Sequence, residues 1–544
     1  MVKLFTVEEM IALEKEANDS GLSYELMMEN AGKSIAEHVL IAYSQFKPKN
    51  IISLVGPGNN GGDALVALSH LSGNNWKTTA YIVRDRQESD PLIKRLLDAG
   101  GDVLKADDDS QYKKLAKLLG NSSILLDGIF GTGIKLPLRG EITKVLNFIN
   151  KYLDEKSNKP QVVAVDCPSG VDCETGEADP VTIAADMTVT MAGIKTGLLR
   201  FPAAELTGEL RIGNIGQINK LKSFSKNQKI ILDDQYISNL IPKRPLNSHK
   251  GTFGTALIIA GSVNYTGATL LSGMAAYRSG VGLVTLGVPR QLHSALAGQL
   301  PESTWIILPD EMGVISADAA RVIRNNLDRA TAILIGPGFG LEDTTKEFLD
   351  KLFTETGMGL KRDIGFIHSK DKTSNDKAIQ KPIILDADGL KLISKISHWY
   401  KLLPAPAVLT PHPGEMSVLT GLSVTEIQNN RLEIARDYSK KWGHIVVLKG
   451  AFTVIAAPDG QIGVVPIATP ALARAGTGDV LAGLIVGLRA QGLDAFEAAC
   501  AGTWIHASAG LTAARNIGNN ASVIAGDVLN AIPQVITSLT QKTN

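Results

Sequence analysis

The chain has 544 residues, of which 55 are basic and 55 acidic, so its formal net charge is zero. At roughly 150 residues per domain, this length predicts two or three domains. The balanced charge disfavours a nucleic-acid groove as the main function, and a composition of 44% hydrophobic and 20% charged residues is typical of a globular protein. We find no signal peptide and no apolar run of the ~18 residues that a membrane span requires, so we expect no membrane association and a cytoplasmic location.

The N-terminal half alternates predicted helices with short apolar strands. Thr6 and Glu9 predict a capping box, and Met10, Leu13 and Ala17 follow along one face of the helix that it would open. Residues 24–43 predict a second helix. Strands are predicted at 51–55, 78–83, 123–126, 162–165 and 187–191. Strands that alternate with helices in this way indicate βαβ units and a parallel sheet.

The alternation stops at residues 217–232, a basic and polar stretch that we interpret as a linker, and then starts again. Further strands are predicted at 256–260, 283–288, 332–335, 383–385, 407–409, 445–448 and 452–456. Two helices, 478–490 and 495–514, are predicted to close the chain. We interpret the polar segment 357–380 as an excursion on the surface, because long ordered loops are uncommon inside compact domains.

A glycine-rich loop, GPGNNGGD at 56–63, follows the first of the predicted strands and opens a helix. This is the context of a dinucleotide fingerprint, in which a pyrophosphate lies on the amides of a helix N-terminus, and Asp85 follows the second strand at a suitable distance. A glycine-rich turn without any ligand is the alternative interpretation of the loop.

Two more loops carry polar side chains just past predicted strands. Asp127 stands in LLDGIFGTGIKLP, and Asp166 and Ser169 stand in VVAVDCPSGVD. Because the carboxyl ends of parallel strands meet in one crevice, we expect these residues to converge with Asn60. Asn60, Asp127 and Ser169 would offer hard oxygen ligands to a cation, and Asp166 a carboxylate for proton transfer. Each aspartate taken alone is more often a helix cap or a turn former, and it is the coincidence of three such loops that favours a site.

The N-terminal half resembles the YjeF N-terminal family, the NAD(P)HX epimerases, over residues 1–216. The resemblance rests on YELMMENAGKSIAEHV, GPGNNGGDALV, LLDGIFGTG and VDCPSGVD. It implies inversion at C6 of hydrated reduced nicotinamide dinucleotides, potassium ligation by Asn60, Asp127 and Ser169, and Asp166 beside the nicotinamide ring. The residues that it implies for dinucleotide binding are Asn59, Asn60, Gly61, Gly62, Asp63, Gly131, Thr132, Gly133, Ile134, Lys135, Leu136, Pro137 and Asp166. Lys195 also matches a family position, and we assign it no role.

In the C-terminal half, the sharpest motif is AGTGDVLAGLIVG at 475–487. Glycine amides at a helix start form an anion hole for phosphate, and Asp479 in the same turn is placed to move a proton on a phosphate-linked group. A simple helix cap is the alternative role for this aspartate. His412 lies between two prolines whose fixed φ would orient the imidazole, and Lys449 and Gly450 form a turn between two strands, a setting suited to nucleotide phosphates.

Together with IGPGFG, LDADGL and TPHPGE, this motif resembles the ribokinase-like fold, in particular its ADP/ATP-dependent NAD(P)HX dehydratase branch, over about 233–540. The resemblance implies dehydration of S-NAD(P)HX by a nucleoside phosphate, with Asp479 as base and Mg²⁺ on the phosphates. Residues implied to contact the hydrate are Ala268, Gly338, His412 and Asp479. Those implied to hold the adenine nucleotide are Lys449, Gly450, Ala451, Phe452, Thr453 and Gly478.

The fold class is therefore predicted as α/β with two domains, an N-terminal Rossmann-like α/β/α sandwich at 1–216 and a C-terminal ribokinase-like domain at 233–544. The predicted function is bifunctional repair of NADHX and NADPHX with ADP, or alternatively ATP, yielding NAD(P)H, AMP and phosphate, in a homo-oligomer. A ribokinase-like metabolite kinase with a dinucleotide-binding regulatory domain is the main alternative, because anion hole and base would be shared. Two further alternatives are that the N-terminal half is a non-catalytic binding module, or that the protein is a dehydrogenase. There is no Walker A sequence, since GIFGTGIK has isoleucine at the position where the pattern GxxxxGK requires lysine.

Overall fold

The structure, a computed structural model, describes residues 1–84, 86–87, 89–354 and 379–541. Asp85 and most of the polar segment 357–380 lie outside the described residues. The chain divides into two compact units, 2–229 and 230–544, with Met1 grouped with the second. The residues predicted to be a linker hold a short helix, Lys222–Lys226, and a strand, Lys229–Ile231.

The N-terminal unit is built of short strands alternating with helices. Its strands are β1 (Val2–Phe5), β2 (Asn50–Val55), β3 (Lys77–Ile82), β4 (Asp102–Lys105), β5 (Ile124–Gly128), β6 (Gln161–Val165), β7 (Met187–Met191), β8 (Ile194–Lys195) and β9 (Glu209–Gly213). Its helices are α1 (Val7–Asp19), α2 (Tyr24–Ala42), α3 (Asn59–Ser72), α4 (Pro91–Asp98), α5 (Lys113–Asn121), α6 (Glu141–Glu155), α7 (Ala203–Leu206) and α8 (Lys222–Lys226).

These elements form an α/β/α sandwich around a parallel sheet with the strand order β4-β3-β2-β5-β6-β7-β9. Helices α1, α2 and α3 bury apolar side chains on one face of the sheet, and α5 and α6 do so on the other. The capping box at Thr6 and Glu9 is present, and the three side chains predicted for the apolar face of α1 are buried. Because the strands are parallel, the loops after β2, β5 and β6 open at the same edge.

The C-terminal unit repeats this alternation around a second sheet. Its strands are β10 (Lys229–Ile231), β11 (Thr255–Ile259), β12 (Leu283–Pro289), β13 (Thr304–Leu308), β14 (Asp310–Glu311), β15 (Val314–Ile315), β16 (Ala332–Ile335), β17 (Ile383–Leu385), β18 (Val408–Leu409), β19 (Ile445–Leu448), β20 (Val454–Ala456) and β21 (Ile462–Val464). Its helices are α9 (Asp234–Leu240), α10 (Thr266–Ser279), α11 (Arg290–Leu296), α12 (Ala319–Arg324), α13 (Asp343–Thr354), α14 (Asp388–Ile393), α15 (Pro413–Thr420), α16 (Val424–Asn429), α17 (Arg431–Trp442), α18 (Thr477–Ala490), α19 (Ala495–Ile517) and α20 (Ala525–Gln541).

In this unit the strands from β13 to β19 are parallel, in the order β13-β12-β11-β16-β17-β18-β19, and β20 and β21 extend the sheet with antiparallel pairing. Helices α10, α18, α19 and α20 share one apolar core with the sheet. The architecture confirms the predicted α/β class. No helix among the described residues is long and apolar enough to cross a membrane.

Two sequence predictions in the C-terminal half are wrong. The chain closes with three helices rather than two, because α20 follows α19 and tolerates Pro533 in its interior. Gly526 and Pro533 are poor helix formers, but the apolar face of α20 is buried against the core, and this packing outweighs local propensity. The strand expected from Phe452 begins at Val454 instead, since Phe452 adopts a φ of 53° within the preceding turn.

Candidate functional sites

The carboxyl edge of the N-terminal sheet brings three predicted residues together, namely Asn60 at the start of α3, Asp127 near the end of β5 and Ser169 after β6. Asp127 was expected just past its strand, but β5 extends to Gly128 and includes it. The Ser169 hydroxyl donates to Asp127 Oδ1 at 2.6 Å, and the Ser169 amide donates to Asp127 Oδ2 at 2.7 Å. The Phe130 peptide links the cluster, because its carbonyl accepts from Asn60 Nδ2 at 2.9 Å and its N–H donates to the Ser169 hydroxyl at 2.9 Å.

This oxygen cluster has the chemistry of a site for a hard cation. Asp127 is fully buried, and burial raises the pKa of its carboxyl, while hydrogen bonds from Ser169 and Ile129 act in the opposite direction. The amide nitrogen of Asn60 is committed to a carbonyl, so its Oδ1 is available as a ligand and lies 3.2 Å from the position of a Cβ on Gly131. Carboxylate, amide and hydroxyl oxygens suit K⁺ rather than a soft metal, so the residues fit the expected ion.

Asp166 stands next to this cluster in a strained conformation. Its φ is 64°, a value that non-glycine residues seldom adopt and that is often found at functional sites. Its Oδ1 accepts hydrogen bonds from the Met191 amide at 2.9 Å and from the Lys195 ammonium. Only 1% of the Lys195 side chain is exposed, and its Nζ also donates to Thr190 Oγ1 at 3.1 Å.

A cavity of about 400 Å³ is lined in part by Glu14, Asn59, Asp63 and Met191, and the Met191 amide is the one that donates to Asp166. Asp166 itself is not among the residues that line it. Burial raises the pKa of Asp63 well above its ordinary value, and the charges of Asp166 and Glu14 raise it further. Two of the predicted dinucleotide-binding residues, Asn59 and Asp63, therefore face this space. The stretch 131–137 does not line it, although Gly131 lies against Asn60.

In the C-terminal unit, the loops after β16, β17, β18 and β19 meet near the start of α18. The Gly340 amide donates to Asp388 Oδ2 at 3.1 Å, and Thr410 Oγ1 donates to Asp386 Oδ1 at 2.7 Å. The Lys449 ammonium donates to Asp386 Oδ1 at 2.8 Å and lies 3.7 Å from the position of a Cβ on Gly478. Lys449, the first residue of the turn predicted to bind the nucleotide, thus lies against the glycine-rich start of α18.

Asp479, the predicted base, lies in the first turn of α18 after Gly476, whose φ is 86°. Burial raises the pKa of Asp479 to about 7, the carboxylates of Asp386 and Asp388 act in the same direction, and the Lys449 ammonium opposes them. An ordinary aspartate would be ionised at all physiological pH values, whereas this one changes protonation near neutrality. Such a value suits a group that exchanges protons with a bound substrate.

The other predicted hydrate-binding residues occupy different settings. Ala268 on α10 and Gly338 after β16 are neighbours, since a Cβ on Gly338 would lie 2.8 Å from the Ala268 Cβ. His412 caps α15, because its Nδ1 accepts from the Gly414 amide at 3.0 Å and the Glu415 amide at 3.2 Å. Burial lowers the pKa of His412, and about half of its side chain stays exposed.

Sequence reasoning assigned no role to four residues that the structure places in these sites: Lys195, Asp386, Glu415 and His506. Asp386 lies in LDADGL and Glu415 in TPHPGE, but the partners of Lys195 and Asp386 are distant along the chain. Glu415 lies 3.6 Å from Lys449 Nζ. His506, on α19, is buried with a pKa lowered to about 4, chiefly by burial, and it hydrogen-bonds the backbone of Thr477 at the start of α18. Nothing in the local sequence distinguishes His506 from a histidine of the core.

Comparisons with known proteins assign each unit to a class. Residues 24–197 match the family described as YjeF-related protein N-terminus, and residues 256–534 match the family described as NAD(P)H-hydrate dehydratase. A solved structure from Bacillus subtilis, titled as an ADP/ATP-dependent NAD(P)H-hydrate dehydratase co-crystallized with ATP/Mg²⁺, is 29% identical. It covers 56% of this chain and 97% of its own, with a TM-score of 0.45.

Full-length relatives carry the same two parts in one chain. The protein named bifunctional NAD(P)H-hydrate repair enzyme Nnr from Moorella thermoacetica is 34% identical over 99% of this chain and 97% of its own length. Proteins of the same name from Thermofilum pendens and Escherichia coli are 33% and 30% identical over 99% and 96% of this chain, and over 97% and 92% of their own lengths. The chain belongs to the family of bifunctional NAD(P)H-hydrate repair enzymes, which confirms the resemblance inferred from its motifs.

Proposed function

We propose that this chain repairs hydrated nicotinamide dinucleotides in two steps, one in each unit. The N-terminal unit interconverts the R and S epimers of NAD(P)HX, and the C-terminal unit dehydrates the S epimer with ADP to give NAD(P)H, AMP and phosphate. The observation that carries the proposal is the presence of two separate acid-base centres, Asp166 with Lys195 in the N-terminal unit and Asp479 with Lys449 in the C-terminal unit. Asp166 follows β6 and Lys449 follows β19, whereas Asp479 lies at the start of α18.

In the epimerase site, Asp166 would take the proton of the C6 hydroxyl as the C6–N1 bond breaks, which leaves an aldehyde at C6 and the electron pair of the bond on N1. Attack of N1 on the opposite face of the aldehyde and return of the proton to the oxygen would give the other epimer. The Lys195 ammonium compensates the buried negative charge of Asp166 and, together with the Met191 amide, fixes the position of its carboxylate. Asp63 and Asn59 line the adjoining cavity, and the raised pKa of Asp63 favours a neutral carboxyl that donates a hydrogen bond to the substrate. Asn60, Asp127 and Ser169 would hold K⁺, which supplies positive charge that compensates Asp127 and attracts the dinucleotide phosphates.

In the dehydratase site, the ionised Asp479 would remove the proton of the C6 hydroxyl as that oxygen attacks the terminal phosphorus of ADP. AMP leaves, and loss of phosphate from C6 together with a ring proton then yields NAD(P)H. The amides at the start of α18 and the turn 449–453 would hold the nucleotide phosphates. No cluster of His, Cys, Asp and Glu side chains within the described residues is arranged to hold a metal, so Mg²⁺ would be held mainly by the phosphates.

The dehydratase step is tested by supplying pure S-NADHX with Mg²⁺ and either ADP or ATP, and measuring NADH together with AMP and phosphate. One AMP and one phosphate per NADH are expected with ADP. Transfer of phosphate to a product that persists, without NADH, would instead support a metabolite kinase. We also propose a cytoplasmic location and a homo-oligomeric state, which fractionation and sedimentation in solution would test.

A further inference from the structure

A large cavity lies along the amino edge of the N-terminal sheet. Its volume is about 1150 Å³, and its lining includes the first residues of β2, β3, β4 and β6, namely Asn50, Lys77, Asp102 and Gln161. The proposed epimerase site is at the carboxyl ends of the same strands. Strands of five to six residues rising about 3.3 Å each separate the two edges by roughly 17 Å, so this cavity is not part of that site.

The lining of this cavity, which we call the amino-edge cavity, is strongly basic. Its only acidic residue is Asp102, whereas the chain as a whole balances 55 basic against 55 acidic residues. Its basic residues are Lys47, Lys77, Lys114, Lys117 and Lys159. Positive charges around one space repel each other, and a bound anion would offset this electrostatic repulsion.

The amines of these lysines are available to a ligand. All five residues are exposed, and none of them forms a salt bridge within the part of the chain that the structure describes. Lys114 Nζ donates to the Asp108 carbonyl at 2.9 Å, which leaves two of its three donors unused. Ammonium groups on flexible stems act as point charges that can gather around phosphate oxygens.

The remaining lining combines neutral polar and apolar side chains. Amide and hydroxyl groups come from Gln45, Asn121, Ser122 and Asn158, while Phe46 and Leu104 provide apolar surface. The volume matches or slightly exceeds the ~300–1,000 Å³ of typical small-molecule pockets, which a nucleotide would fill and a single phosphate would not.

We propose that the amino-edge cavity binds a small polyphosphate anion of nucleotide size, at a site separate from both catalytic centres. The lysines would neutralise the phosphates, and the apolar surface near Phe46 would accommodate a base where the ligand is a nucleoside polyphosphate. This site does not depend on the proposed epimerase or dehydratase activity.

Lysine footprinting of the full-length protein tests the proposal at residue level. The protein is acetylated at physiological ionic strength with no addition, with inorganic tripolyphosphate or with ATP, and modification is quantified by peptide mass spectrometry. Several-fold protection of the cavity lysines is expected with both probes. Equal protection by the two assigns recognition to the phosphates alone, and stronger protection by ATP adds a contribution from the nucleoside. No protection, uniform protection of all surface lysines, or protection confined to Lys449 would overturn the proposal.

A paired-variant titration provides the second readout. The double substitution Lys77→Gln and Lys117→Gln is expected to weaken tripolyphosphate binding at the cavity by about tenfold, because two unit charges near the anion are lost. The matched control, Lys33→Gln with Lys151→Gln, removes two exposed lysines elsewhere in the same unit, with side chains 59% and 75% exposed. Equal affinities of the two double variants would contradict the assignment even if footprinting showed protection.

Discussion

The pKa of about 7 at Asp479 gives the dehydratase reaction a pH dependence that can be shifted in two directions. A base with this pKa is about one-eleventh ionised near pH 6 and about ten-elevenths ionised near pH 8, so the turnover of S-NADHX should rise about tenfold across that interval. The Asp386 carboxylate raises the pKa and the Lys449 ammonium lowers it. Asp386→Asn should therefore shift the profile to lower pH, and Lys449→Gln should shift it to higher pH.

The assay follows NADH formation at saturating S-NADHX and Mg-ADP over a pH series, for the parent chain and both variants. Asp459→Asn, which neutralises an exposed aspartate in the same unit, serves as the control and should leave the profile unchanged. Thermal unfolding of each variant checks that the protein remains folded. A flat profile in the parent, or shifts of both variants in the same direction, would refute the electrostatic reasoning.

Three further predictions concern the packing of the sites. Lys195→Met leaves the buried carboxylate of Asp166 without its partner. It should lower the free energy of unfolding, measured in urea, by about 3–5 kcal/mol and abolish epimerisation. Lys144→Met, which breaks an exposed ion pair with Glu141, should change stability little. Ser169→Ala should raise the K⁺ concentration needed for epimerisation without comparable loss at saturating K⁺; an unchanged K⁺ titration would contradict the ligand set. Gly338→Ala places a Cβ 2.8 Å from the Ala268 Cβ of α10, at a φ of 66°. It should lower the free energy of unfolding by about 1–3 kcal/mol and slow dehydratase turnover. Gly298→Ala, whose Cβ meets open space, should change neither.

Much of the fold follows from local sequence, because short runs of apolar and β-branched residues between polar or turn-forming residues define strands that are buried on both faces. β7, β16, β17 and β19 begin and end where the sequence predicts. The short edge strand β4 was not predicted, since its four residues DVLK place two apolar side chains between two charged ones, a pattern too short to be distinguished from a loop. The helix α20 was missed because its stability comes from packing against α10 and α19 rather than from its own residues.

The candidate sites also combine features that the local sequence predicts with features that depend on distant residues. Asn60, Asp127 and Ser169 could be grouped from the sequence, because each lies close to the carboxyl end of a predicted strand and parallel strands end at one edge. The basic partners of Asp166 and Asp386 could not be predicted from the sequence. Lys195 reaches Asp166 across 29 residues, and Lys449 reaches Asp386 across 63, and no local pattern encodes either contact.

The most direct test of the account follows the near-ultraviolet absorbance of the reduced nicotinamide when mixed R- and S-NADHX is given to the protein with ADP, Mg²⁺ and K⁺. The parent chain should convert the whole mixture, Asp166→Asn should stop once the S portion is consumed, and Asp479→Asn should produce no NADH. Full conversion by Asp166→Asn, or continued NADH formation by Asp479→Asn, would contradict the division of the two steps between the two centres.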